Sequence, residues 1–121
     1  MFFPGRIANE KKSFIPDSEV YLESGHICIK KNVAEKIFGM HGAILSVYYE
    51  ADKTFLAAPL NEEAFKTIHK ARQQMLKEKN AAGDKAISIQ DVLLDYNNLD
   101  GNNRNLEFVA EEALHILKVK L

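Results

Sequence analysis

The chain has 121 residues, 46% of them hydrophobic and 27% charged, with a formal net charge of −1. That length fits one domain, and the mixture lies far from the corner where low hydrophobicity and high net charge keep chains disordered. A near-neutral balance supplies no overall attraction to phosphate backbones or anionic membranes, so nucleic-acid binding would have to come from a local basic patch.

A chain of this size buries roughly two-thirds of the surface its unfolded form exposes, which is enough for one core without a metal or disulfide staple. The single cysteine, Cys28, sits in an apolar run and reads as a packed thiol of a reducing compartment. The opening Met1-Phe2-Phe3-Pro4-Gly5-Arg6 is too short in apolar residues for a signal peptide, and no stretch approaches the ~20 apolar residues of a membrane-spanning helix. The expected setting is cytoplasmic, with no membrane role.

Residues 1–17 show no sustained period and read as an arm, with Phe2, Phe3, Phe14 and Ile15 available to dock on the core. Alternation begins after Asp17-Ser18. Val20 and Leu22 share one strand face, with Glu19, Tyr21 and Glu23 on the other. Ser24-Gly25 signals a turn, and Ile27 and Ile29 restart the alternation. Asn32 is placed to cap a short helix carrying Val33, Ala34, Ile37 and Phe38, which Gly39 closes. Ala43 to Tyr49 is β-branched and aromatic enough for a strand. Ala51-Asp52-Lys53 is a hairpin-length break, Thr54 to Ala58 returns, and Pro59 ends the pair.

Asn61 then caps one long predicted helix over 62–79. Glu62 and Glu63 lie in its first turn, Lys77 and Lys79 in its last, and Phe65, Ile68, Ala71 and Met75 recur at three- and four-residue steps. The final third repeats the earlier order. Ala86 to Ile89 is a short strand, Val92-Leu93-Leu94 a short helix, and Leu106 to Val109 and Leu114 to Val119 a strand pair around Glu111-Glu112. A strand–helix–strand–strand unit therefore occurs twice, about 60 residues apart, with the long helix between the copies. The organisation is a single domain over 1–121: arm 1–17, first half 18–60, long helix 61–82 and second half 83–121.

The stretch from Gly25-His26-Ile27-Cys28-Ile29-Lys30-Lys31-Asn32-Val33, through Ile37-Phe38-Gly39-Met40, to the hairpin Leu45-Ser46-Val47-Tyr48-Tyr49 and Thr54-Phe55-Leu56 resembles the swapped-hairpin domains of the AbrB/MazE/MraZ-like group. The resemblance covers about a third of the chain and reaches the second half only through the repeat. It implies that two half-units close one small barrel, within a chain or between two, and that basic side chains on strands and adjacent loops contact DNA. The pattern departs from the group at His26, where an arginine is usual, and at Lys30, near the usual proline. The long helix has no counterpart there.

Four patterns bear on chemistry. Lys30, Lys31 and Lys36 flank the first short helix, and Lys66, Lys70, Arg72, Lys77 and Lys79 lie on the long one. Together they could neutralise phosphates, or they form solvated faces balanced by Glu35, Glu62, Glu63 and Glu78. The loop Asp95 to Gly101 has oxygen-bearing residues before a glycine, but Leu99 and Leu106 stand where a calcium loop needs ligands, so it reads as a surface turn. His26, Cys28, His41, His69 and His115 share no metal-ligand spacing. Tyr48, Tyr49, Phe55 and Phe65, at strand or helix spacing, read as core.

The fold expected is α+β: a small β-barrel of two strand–helix–hairpin halves plus one long amphipathic helix. The function expected is a non-enzymatic binding module of the transcription-regulator kind, with double-stranded DNA as partner and Lys30, Lys31 and Lys36 as phosphate contacts. The alternative is a self-associating protein–protein or scaffold domain, a homo-oligomer without a nucleic-acid role. No catalytic residue, metal ligand or cofactor is assigned.

Overall fold

The computed structural model describes residues 16–39 and 42–121. The expected arm up to Ile15, and the turn residues Met40 and His41, lie outside that range. The first element is a hairpin in which β1 (Val20–Glu23) and β2 (His26–Ile29) pair antiparallel, Leu22 opposite Ile27 and Glu23 opposite His26. Ser24 (φ 52°) and Gly25 (φ 75°) form its loop. Positive φ at both central residues matches the twist of the flanking strands. A Cβ at Gly25 would also meet Gln90 Cγ at 3.0 Å, so only glycine fits without displacing a neighbour.

Helix α1 (Lys31–Phe38) follows at once, burying Val33, Ala34, Ile37 and Phe38 as a one-sided stripe before Gly39 ends it at φ 62°. Its start differs from the expectation. The N-cap position is Lys30, and Asn32 lies inside the helix, where its side-chain amide donates to Glu19. The capping oxygen comes from far along the chain: Asp84 Oδ1 accepts the Lys31 N–H at 2.9 Å. β3 (Ala43–Tyr49) and β4 (Thr54–Pro59) form the second hairpin, with Ser46 opposite Ala57.

The long helix over 62–79 does not form. α2 (Glu63–His69) stops after about two turns, where Lys70 turns left-handed (φ 52°) and the Ala71 N–H returns to the Lys66 carbonyl. Its N-cap position is Glu62 and not Asn61. The chain then runs extended as β5 (Arg72–Met75) and β6 (Lys77–Glu78). The reason is tertiary. β5 pairs with β3, Ile44 opposite Gln74 and Ser46 opposite Arg72, and so satisfies backbone groups that the β3 edge would otherwise leave open. That outweighs helix propensities worth only a few tenths of a kcal/mol per residue. Only part of the helical stripe is used: Phe65 is buried, but Ile68 is 73% and Met75 64% exposed, while Leu76 enters the core.

The final third supplies β7 (Lys85–Ser88), α3 (Gln90–Asp95), β8 (Arg104–Asn105), β9 (Glu107–Glu111) and β10 (Ile116–Lys120). Among the described residues the ten strands make two antiparallel sheets of five, in the orders β9-β10-β4-β3-β5 and β6-β7-β2-β1-β8. The barrel expected from two hairpin halves is therefore not what forms. The chain crosses between sheets at Leu76 and again at Leu106, single buried residues at which the strand ladder breaks. Such corners let strands change sheets without closing one continuous ladder.

The main core lies between the sheets. Val20, Leu22, Ile27, Ile29 and Ile87 face Ile44, Phe55, Ala57, Leu117 and Val119, with α1, Leu76, Val92 and Leu106 filling the ends. A second cluster, Leu45, Leu56 and Ala58 with Phe65, lies where α2 covers the outer face of the first sheet. The third holds only strand residues of the second sheet: Tyr21, Cys28 and Ala86.

Candidate functional site

Tyr21, Cys28 and Ala86 are neighbours across β1, β2 and β7, on the face of the second sheet that points away from the main core. Two ammonium groups stand over the tyrosine, Lys30 Nζ at 5.7 Å and Lys79 Nζ at 5.8 Å from the ring centroid. Each position follows from local structure. Lys30 is the residue between β2 and α1, and Lys79 follows β6 into the Asn80–Asp84 loop. Lys79 also forms an ion pair with Glu23, and that hydrogen bond, against the cost of burial, pushes its ammonium pKa up. Cys28 is 2% exposed. Burial pushes its thiol up, and the Lys79 charge only partly offsets this, so the sulfur stays protonated and unreactive.

The loop beside this face is held by Asn80 and Asp84. Asn80 Oδ1 accepts the N–H groups of Ala82 (3.1 Å) and Asp84 (3.2 Å), and Asn80 Nδ2 donates to Asp84 Oδ2 at 3.1 Å. Asp84 also accepts the Lys31 N–H and lies 3.9 Å from Lys30 Nζ. Burial works to raise its carboxyl pKa, but the Asn80 and Lys31 hydrogen bonds and the Lys30 and Lys79 charges outweigh it, leaving the carboxyl below its ordinary value. A depressed folded-state pKa means that Asp84 contributes its full stability above the unfolded value of about 3.9, and loses it as pH falls through the folded value. Asp84→Asn keeps an oxygen that can accept the Lys31 N–H but loses the charge, and is expected to cost about 1 kcal/mol at neutral pH. It should also flatten the acid limb of a pH–stability curve measured by urea unfolding. An unchanged acid limb would contradict this role.

The structure brings together two of the three sequence-predicted site residues. Lys30 and Lys31 border the same loop, the Lys31 side chain lying against Gly83. Lys36 sits at the other end of α1, 3.8 Å from Glu112 of the β9–β10 turn. Tyr21 and Asp84 carry no site signal in the sequence, and Lys79 stands there only within the broader basic set of the expected long helix. Lys79 was assigned to a helix end, and the only local signal for the loop was an asparagine able to bond the backbone two residues on.

The other candidates disperse. His26 Nδ1 lies 2.9 Å from the Ser24 carbonyl, His69 Nδ1 lies 2.6 Å from the Tyr49 hydroxyl, and His115 lies 3.8 Å from Glu62. In the acidic loop, Asp100 accepts the Asn102 N–H and faces the Arg104 guanidinium at 3.6 Å. Among the described residues no three of His, Cys, Asp or Glu are grouped to hold a metal ion, and no helix is long and apolar enough to cross a membrane. Comparison with protein-family models, with curated proteins and with solved structures finds no match to this chain.

Proposed function

We propose that the chain is a binding module for double-stranded DNA, with the lysines at the rim of the second sheet's outer face and its bordering loop as the contact surface. The observation that carries this reading is the pair of ammonium groups, Lys30 and Lys79, held over Tyr21, with Lys31 on the next residue. Lysines anchored in this way, over a tyrosine that is itself buried, lose little further freedom on meeting a phosphate. Glu23 and Asp84 partly neutralise the patch, so binding is weak and strongly salt-dependent.

Fluorescence anisotropy with mixed-sequence duplexes across a salt series tests this. Affinity is expected to fall with a log–log slope of about 0.9 per phosphate contacted. A Lys30→Glu/Lys31→Glu double variant should lose binding, and Lys36→Glu alone shows whether contact extends along α1. No binding at low salt would sink the reading.

The register also supports reading the two halves as internal copies. β2 meets β7 with Ile27 opposite Ile87, and β4 meets β10 with Ala57 opposite Leu117, both pairs about 60 positions apart.

The second reading is self-association through the first sheet. Val109 is 55% exposed on the edge strand β9, above an apolar groove of about 450 Å³. Sedimentation over a concentration range separates the two: a monomer at all concentrations removes the second reading.

A further inference from the structure

The outer face of the first sheet is covered unevenly. α2 lays Phe65 over Leu45, Leu56 and Ala58 of β3 and β4. Toward β9 the same face has no such cover among the described residues. There Thr54, Lys120 and Glu107 stand in one row across β4, β10 and β9, with Lys118 and Val109 in the next. Val109 is exposed, and the apolar groove of about 450 Å³ lies beside it. β9 is also an edge strand, so one row of its backbone groups has no strand beside it.

The chain itself enters the described fold at this place. Asn105 Oδ1 accepts the N–H groups of Asp17 (2.9 Å) and Ser18 (3.2 Å), and the Ser18 hydroxyl donates to the Leu106 carbonyl at 3.4 Å. Pro16 is therefore held near the corner from which β9 departs. Fifteen residues precede it, among them Phe2, Phe3, Phe14 and Ile15. Residues 11–15, extended, would span about 17 Å, the length of the five-residue β9.

We propose that the segment before Pro16 occupies this groove in its own chain, residues 11–15 running along β9 with Phe14 and Ile15 covering Val109. The scale of the face favours a tethered occupant over a second copy. One exposed valine flanked by Lys118 and Lys120 supplies little of the roughly 800 Å² per partner that a stable dimer buries. A segment already anchored at Asn105 docks intramolecularly and needs far less contact.

Limited trypsin digestion of the whole chain tests this, read by mass spectrometry as the rate of cleavage after Lys12. Val109→Glu is a change at an exposed position that leaves the fold intact. It should speed that cleavage about tenfold, because the segment loses its apolar contact. Leu94→Glu, exposed on α3, should leave the rate unchanged. Phe14→Ser with Ile15→Ser should shift the ¹H–¹⁵N signals of Thr54, Val109 and Lys118 and leave β6 and β7 unmoved. Protection in the parent should not depend on protein concentration. Equal cleavage of the parent and Val109→Glu would overturn the proposal, as would unmoved β9 and β10 signals. Protection that grows with concentration would also overturn it, by giving the groove to a second copy. The substitutions leave Lys30, Lys31 and Lys79 in place, so none of these outcomes bears on DNA binding.

Discussion

Replacing Phe38 with alanine is expected to remove about 3–5 kcal/mol of stability, a large part of what a domain of this size possesses. Phe38 is 1% exposed and forms the last turn of α1, and its ring belongs to the core shared by both sheets. A strand neighbour can relax along its ladder, whereas the end of α1 is pinned. Asp84 holds its first N–H, and Gly39 reverses the chain at its C-terminus. Little collapse into the vacated space is therefore expected, which places the cost toward the upper end of the range. Urea unfolding should show a lowered midpoint with an unchanged slope. A loss under about 1 kcal/mol would mean that α1 does not close the core as described.

The second large effect separates two neighbours. Leu76→Ala should cost about 2–4 kcal/mol, while Met75→Lys should fall within about 0.5 kcal/mol of the parent. Leu76 is 5% exposed at the corner where the chain leaves the first sheet for the second, and its N–H donates to the Gly42 carbonyl at 3.0 Å. Met75, one residue earlier, points to solvent from β5. A helix over this segment would make Met75→Lys costly as well, because its apolar stripe contains Met75 and is flanked by Leu76. Comparable losses in both variants would contradict the strand.

That segment marks where the sequence was legible and where it was not. Strands whose pattern is local and whose turns carry their own chemistry could be read directly: Ser24-Gly25 demands a tight turn, and Val20, Leu22, Ile27 and Ile29 put one face inside. The stripe of α1 was equally local. The stretch after α2 was not, because Arg72 to Lys79 contains good helix formers, and what makes it extended is the open edge of β3, about 30 residues away in sequence. The cap of α1 failed for the same reason. Asn32 was the nearest suitable side chain, yet Asp84 supplies the oxygen from across the fold.

The candidate site shows the same division. Lys30 and Lys31 were visible as a basic pair next to a helix. Lys36 was grouped with them by proximity in sequence, but the helix carries it to Glu112. Lys79 joins Lys30 at Tyr21 only because β6 pairs with β7 and the Asn80–Asp84 loop folds back. No spacing rule reports such a meeting, since it depends on which strands become neighbours.

The proposed DNA-contacting surface is the lysine rim of the second sheet's outer face with its bordering loop. The most direct measurement is a ¹H–¹⁵N titration of the whole chain with a short mixed-sequence duplex at low salt. The prediction is progressive shifts at Tyr21, Cys28, Lys30, Lys31 and Lys79, reversed by added salt, with β9 and β10 unaffected. A spectrum that does not move, or one whose shifts cluster on β9 and β10, would contradict it.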